Sequence, residues 1–296
     1  MILAVASGKG GTGKTTVSVN LARVMDSPMQ LLDCDVEEPN CHLFLKGKVL
    51  KQETVSIPVP EVDESLCNAC GQCSSFCQYH AIVSLETETM VFPELCHGCG
   101  GCTRVCPRGA ITETGKRIGL IETLISSHIT LVRGVLDIGV AMAPPLIRAV
   151  KARIQDKILS ILDAPPGTSC PVIATINSAD FVLLVTEPTP FGLHDLSLAV
   201  DMVRDLGIPM GVVINRAGIG DERVHTFCAA QGIPILQEIP DDRRIAEAYS
   251  RGELIVDALP EYRIRFERIM DAVMEQTSAK LHYASRLVHT NAQSHK

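Results

Sequence analysis

The sequence predicts an α/β protein built on a doubly wound, mostly parallel sheet and interrupted by a small cysteine-rich α+β unit. Three observations carry this expectation. An apolar run, Ile2 to Ala6, leads into Ser7-Gly8-Lys9-Gly10-Gly11-Thr12-Gly13-Lys14-Thr15-Thr16, in the order strand, glycine loop, helix. Apolar strands and amphipathic helices alternate again from about residue 132 to residue 250, the rhythm of a parallel sheet with crossover helices. Between these stretches, eight of the twelve cysteines crowd into forty residues.

The opening loop meets the pattern GxxxxGK[ST] at Gly8, Gly13, Lys14 and Thr15. Glycines at 8, 10, 11 and 13 let the backbone, through Thr12 to Thr16, fold its N–H groups around phosphates. Lys14 reaches the terminal phosphates, and the Thr15 hydroxyl can ligate Mg²⁺. A helix over Thr16–Met25 aims its N-terminus at the same anion. Next, Gln30-Leu31-Leu32 runs into Asp33-Cys34-Asp35-Val36-Glu37-Glu38-Pro39-Asn40. On a strand, alternation points Asp33 and Asp35 the same way.

At about Ile57 the composition changes, with Pro58 and Pro60 among acidic residues marking a boundary. The expected division is a discontinuous domain over 1–57 and 116–296 with a second unit at 58–115. That unit is a tandem repeat. Cys67, Cys70, Cys73 and Cys77 recur 29 residues later as Cys96, Cys99, Cys102 and Cys106, and each copy ends in Ala-Ile. Both copies read C-x₂-C-x₂-C-x₃-C, the bacterial ferredoxin spacing, in which the fourth cysteine of each copy ligates the other cluster. Cys67, Cys70, Cys73 and Cys106 are thus expected to hold one [4Fe–4S] centre, and Cys96, Cys99, Cys102 and Cys77 the second. Gln78 stands where the first copy would carry proline, whereas Pro107 keeps the pattern in the second. Paired Cys₄ zinc sites are the rival reading, disfavoured because zinc pairs usually have longer spacers. His97 reads as a loop residue, since four cysteines already fill its site.

Beyond Gly115 the expected elements are a strand over 132–140, a helix from Pro144-Pro145 to Lys151, and a buried strand over 158–162. This last strand ends in Asp163-Ala164-Pro165-Pro166-Gly167. A carboxylate there can hold Mg²⁺, and the Gly167 N–H can sense a terminal phosphate. Three strand–helix units follow, with strands at 181–186, 210–214 and 233–239. Asn215-Arg216 and Pro240-Asp241 sit at the carboxyl ends of the last two. Glu187 and His194 read as structural.

Lys-Gly-Gly-Thr-Gly-Lys-Thr, with the early Lys9, resembles the deviant Walker A motif of MinD/ParA-superfamily P-loop ATPases. Together with the acidic stretch from Asp33, the paired cysteine motifs and the Asp163 segment, it is similar to members carrying an inserted bacterial-ferredoxin-like domain. The resemblance implies ATP, Mg²⁺ and two [4Fe–4S] clusters. It implies that Lys9 reaches a partner's nucleotide across a dimer of two identical chains or of this chain with a paralogue. It further implies Asp35, with Asp33 second, as the group positioning the attacking water, and an adenine pocket at Asn215, Arg216, Pro240 and Asp241. The expected function is ATP hydrolysis coupled to electron transfer toward a redox protein, the insertion leaving from the Asp33 strand. A cluster carrier of Mrp type and a positioning ATPase are the alternatives.

A net charge of −7 argues against broad nucleic-acid binding. The N-terminal apolar run of about five residues falls far short of the ~20 a membrane span needs. Cysteine density without a secretory signal is expected for metal ligation in the cytoplasm. The tail beyond about Lys280 is expected to be a frayed helix rather than a membrane anchor.

Overall fold

A computed structural model of the chain describes residues 1–277. In chain order its elements are β1 (Ile2–Ala6), α1 (Lys14–Val24), β2 (Met29–Asp33), β3 (Lys48–Val62), α2 (Gln72–Phe76), β4 (Ile82–Ser84), β5 (Thr89–Val91), α3 (Gly101–Val105), β6 (Ile111–Ser126) and β7 (Ile129–Leu136). They continue with α4 (Pro144–Lys151), β8 (Leu159–Asp163), α5 (Cys170–Ile176), β9 (Phe181–Thr186), α6 (Pro190–Asp205), β10 (Met210–Ala217), α7 (Arg223–Gln231), β11 (Ile235–Pro240), α8 (Arg243–Ser250) and α9 (Ile255–Ala258). A further helix covers 263–277. The expected tail helix lies outside the described residues.

Nine strands form one sheet in the order β11-β10-β9-β1-β8-β2-β7-β6-β3. Neighbours from β11 to β7 pair in parallel, and β6 alone runs against the others. β2 and β9 are buried along their whole length and β1 from Leu3 onward, as strands covered by helices on both faces must be. One apolar layer includes Leu32, Leu146, Val182 and Val200; the other includes Leu3, Leu21, Phe181 and Phe266. The chain winds to both sides of β1, so the carboxyl ends of β1, β2 and β8 open onto one crevice.

β3 and β6 form a long antiparallel ladder from Lys48↔Ile125 to Val62↔Ile111, and the eight motif cysteines all lie between its far ends. The divisions expected at 57/58 and 115/116 therefore fall within continuous strands. Pro58 and Pro60 did not end the strand because β3 is the sheet edge, where an outward-facing N–H is dispensable. The expectation that the insertion leaves from the Asp33 strand is corrected: β7 and β6 separate β2 from β3. The expected strand over 132–140 is corrected as well. It spans 129–136, and the chain turns away at Asp137, with Gly139 at φ 85° and the Ile138 side chain fully in solvent.

Within the cysteine segment the repeat is visible in the backbone. α2 and α3 begin 29 residues apart, each preceded by a left-handed glycine, Gly71 at φ 76° and Gly100 at φ 69°. β4 and β5 pair as a separate two-stranded sheet. Its small core of Cys73, Ile82 and Ile111 is separate from the two large layers.

Candidate nucleotide site and cysteine cavities

The loop between β1 and α1 crosses the crevice, and buried Lys14 opens α1. Burial pulls the Lys14 ammonium below its ordinary pKa, while the Asp163 and Asp35 carboxylates oppose that shift. Asp163, at the end of β8, is fully buried and accepts hydrogen bonds from Thr15 Oγ1 and Ser18 Oγ, both at 2.7 Å. Burial raises its pKa, against the lowering effect of those two hydroxyls. Thr15 and Asp163 thus bring together two oxygen donors of the kind Mg²⁺ takes. Ser18 was not among the expected site residues; its place one turn after Lys14 was the available signal.

The two acidic residues after β2 differ in kind. Asp33 is fully buried, and its Oδ2 accepts from the Asn40 and Cys41 N–H groups at 3.0 Å each. Burial, then the neighbouring Asp163 charge, raises its pKa. Its carboxyl ties down the loop of residues 34–41. Asp35 opens into the crevice, and burial followed by Asp163 lifts its pKa to about 6. Cys41 Sγ lies 3.5 Å from Asp163. Cys34 and Cys41 are buried thiols whose burial raises their pKa values, and both are packing residues.

A crevice of about 670 Å³ runs from Gly10, Gly11, Gly13, Lys14, Thr15 and Thr16 past Asp35 to Asn215, Arg216, Pro240 and Asp241. All four expected base-pocket residues thus line the same space as the phosphate loop. Asn215 Nδ2 donates to the Thr12 carbonyl at 2.8 Å, joining β10 to that loop. Arg216 adopts φ 55° and bridges Glu187 at 3.1 Å and Asp241 at 3.2 Å. Lys9 sits at the other end of this chain of charges, 3.3 Å from the buried Glu187 carboxylate. Gly8 begins the loop against the Asp195 backbone. The Gly167 N–H donates to the Ser7 carbonyl at 3.1 Å. Tyr249 also lines the crevice and was not foreseen, because α8 carries no motif.

The eight motif cysteines fall into two sets. Cys67, Cys70, Cys73 and Cys106 line one cavity. Cys77, Cys96, Cys99 and Cys102 line another, of about 430 Å³, closed partly by Pro58 and Phe76. Backbone N–H groups point at sulfur in equivalent places, Ala81 to Cys77 Sγ and Ala110 to Cys106 Sγ, each at 3.3 Å. The His97 ring stacks on Tyr79 with centroids 3.5 Å apart. Tetrahedral zinc at ~2.3 Å from each sulfur would bring the sulfurs to ~3.8 Å of one another. Among the described residues, the one donor set gathered within 4.8 Å is Asp33, Cys41 and Asp163, so neither cysteine set is drawn in that tightly. Four thiols facing one shared space are the donor set that a [4Fe–4S] cluster takes, in a cavity of about 430 Å³ for the second set and about 10 Å³ for the first.

The comparisons agree with this architecture. Residues 3–255 match the CobQ/CobB/MinD/ParA nucleotide binding domain. An uncharacterized protein of Methanocaldococcus jannaschii is 34% identical over 260 residues, covering 86% of this chain and 90% of its own. An iron-sulfur cluster carrier protein of Aquifex aeolicus is 26% identical over 89% of this chain and 64% of its own. The cell division ATPase MinD of Pyrococcus furiosus superposes with a TM-score of 0.56 at 21% identity, covering 93% of this chain and 98% of that one. MinD of Pyrococcus horikoshii, solved with Mg-ADP, superposes at 0.55 with 20% identity, covering 92% and 95%. Among the described residues no helix is long and apolar enough to cross a membrane. Matched over residues 3–255, which take in the glycine loop, the buried Asp163 and the mostly parallel sheet, the chain belongs to the CobQ/CobB/MinD/ParA nucleotide-binding family.

Proposed function

We propose that this chain is a Mg²⁺-dependent ATPase whose nucleotide state acts on two [4Fe–4S] clusters held by its eight motif cysteines. The observation that carries the reading is the sorting of those cysteines into two four-thiol cavities on the same sheet as the phosphate loop. Lys14 and the loop amides bind and orient the phosphates. Thr15 and Asp163 would hold Mg²⁺, which supplies charge neutralisation at the phosphates. Asp35 orients the attacking water, and Asp33 keeps the loop bearing it in place. Lys9 leaves Glu187 to meet the nucleotide of a second copy or a paralogue, making turnover depend on dimerisation. Asn215, Arg216, Pro240 and Asp241 hold the base. Cys67, Cys70, Cys73 and Cys106 would hold one cluster, and Cys96, Cys99, Cys102 and Cys77 the other, in a ferredoxin-like unit between β3 and β6. The clusters supply one-electron chemistry or are themselves the cargo.

Cluster carriage is the use that the relatives favour, since iron-sulfur cluster carrier proteins of Aquifex aeolicus and Pyrococcus abyssi match 89% and 86% of this chain. Electron delivery to a redox protein is the second reading, favoured by four cysteines for each cluster. Anaerobic protein loaded with ⁵⁵Fe separates them. Movement of iron to an apo-ferredoxin, accelerated by Mg-ATP, supports carriage. ATP-dependent reduction of an acceptor with iron retained supports electron delivery. Absence of iron and sulfide from anaerobic preparations would remove both.

A further inference from the structure

We infer that residues 136–143 couple the nucleotide switch around Asp35 to the cavity lined by Cys77, Cys96, Cys99 and Cys102, and not to the cavity of Cys67, Cys70, Cys73 and Cys106. The inference rests on the nucleotide and cluster readings proposed above. It answers a difficulty in the topology. The strand that ends at Asp33 does not continue into the cysteine segment, so closure on a phosphate needs another route to reach the thiols.

The route begins beside the acidic loop. The Leu136 N–H donates to the Val36 carbonyl at 2.8 Å, joining the end of β7 to the residue after Asp35. Val36 also packs onto Gly134 so closely that a Cβ there would lie 2.6 Å from Val36 Cγ1. A shift of Asp35 and Val36 toward a phosphate therefore pulls directly on β7. From Leu136 the chain turns, with the Asp137 N–H donating to the Ile118 carbonyl at 2.9 Å and Arg117 clasping the Asp137 carboxylate at 2.8 and 3.0 Å. Gly139, Val140 and Met142 then wall a small cavity whose opposite side includes Cys96 and Pro93. At its far end the segment enters α4, where Ala143 and Ile147 face Asp35, Glu38 and Pro166 across a shared cavity. One stretch thus touches both loops that flank the phosphates and, in its middle, the wall behind Cys96.

Packing explains why only one cavity is in reach. Val36, Leu146, Ile118, Ile57 and Cys96 belong to a single continuous buried cluster, with Val140, Met142 and Cys77 packed against it. Close-packed interiors transmit small displacements because they cannot absorb them. Cys73, Ile82 and Ile111 form their own cluster, to which Cys102 and Cys106 attach, and only Cys77 packs against both. The cavity of Cys67, Cys70, Cys73 and Cys106 therefore meets the larger cluster only through this second, smaller core, at Cys77.

Hydrogen–deuterium exchange on the anaerobically purified full chain, with and without Mg²⁺ and adenylyl imidodiphosphate, tests this. Amides 8–16 are expected to become protected. Exchange at 137–143 and at 94–98 is expected to change by at least about threefold, with 66–72 unaltered. Val36→Ala should keep protection at 8–16 and lose the change at 137–143. Met142→Ala, which leaves the Val36 contact alone, should keep the change at 137–143 and lose it at 94–98. Protection at 8–16 with both distant segments unchanged overturns the coupling, as does a response at 66–72 equal to that at 94–98. Failure to protect 8–16 would instead overturn the nucleotide reading, and the coupling with it.

Discussion

Lys9 Nζ lies 3.3 Å from the carboxylate of Glu187, a residue only 6% exposed that also holds Arg216. The lysine proposed to serve a partner's nucleotide is thus engaged within its own chain, and Glu187 competes with the partner for it. A partly exposed pair of this kind contributes on the order of 1 kcal/mol. Glu187→Gln is therefore expected to tighten Mg-ATP-dependent dimerisation about fivefold, less at high salt, as measured by sedimentation equilibrium. Lys9→Ala should abolish that dimer. An unchanged association constant in Glu187→Gln would show that the pair does not restrain Lys9.

Asp35 carries a pH signature. Burial and Asp163 raise its pKa to about 6, so the ionised form proposed above to orient water predominates only above that pH. kcat/KM for Mg-ATP should be level from about pH 7 upward and fall about tenfold per unit well below pH 6. Asp35→Asn should lower turnover by about a hundredfold, retain nucleotide binding, and remove this acidic limb. An acidic limb of the same shape in the asparagine variant would assign the titration to another group.

Asp33 answers to a different test. Burial and Asp163 favour its neutral form, while its Oδ2 accepts from the Asn40 and Cys41 amides. Asparagine keeps that acceptor without a charge, whereas alanine leaves two buried amides unpaired. Asp33→Ala should cost about 1–3 kcal/mol in denaturant unfolding, and Asp33→Asn much less. Equal losses in the two variants would mean that the carboxyl is required as an anion.

These contrasts mark how far the sequence was legible. The strand 181–186 and the helix 144–151 were expected at the positions the structure shows, because an unbroken apolar run and proline at a first helical turn are local signals. The place of Lys14 and Thr15 in the crevice, and the sorting of the cysteines across repeats into two cavities, were equally legible, since their spacing is chemistry written in one dimension. The long β3–β6 ladder was missed: β3 is an exposed edge strand with Pro58 and Pro60, and its order comes from pairing with residues some sixty positions away. The partner of Lys9 was missed for the same reason. Glu187 reads as structural in the sequence, and only the sheet brings it to the loop. Asp33 and Asp35 looked equivalent by alternation, yet one is sealed and the other open.

The cysteines sort by environment as well. Cys34, Cys41 and Cys228 are buried with raised thiol pKa values, whereas Cys170 is exposed at the start of α5. Iodoacetamide applied to the folded, cluster-loaded chain should therefore modify Cys170 alone. After the metal is stripped by an oxidant and chelator, the eight motif cysteines should join it, and the three buried thiols should still resist. Peptide mass spectrometry reads the difference directly, and acid-labile sulfide in the loaded chain separates clusters from zinc. Early labelling of Cys34 or Cys41 would contradict their placement in the core.

Gly101 and Phe76 bind the two repeats together. Gly101 occupies the place that Gln72 holds in the first repeat, and a Cβ on it would lie 1.9 Å from the Phe76 ring. The ring is nearly half exposed, so it is not a core residue in the ordinary sense; it lies over α3 beside the cavity of Cys96 and Cys99. Gly101→Ala must displace the ring or part the two short helices, and overpacking of this kind costs about 1–3 kcal/mol. Iron bound by the Cys77, Cys96, Cys99 and Cys102 set should be lost faster to a chelator in that variant. Phe76→Ala opens the space that the new methyl needs, so the double variant should lose less than the two single effects combined. Additive losses would mean that the two residues act separately, and that each repeat holds its cavity without the other.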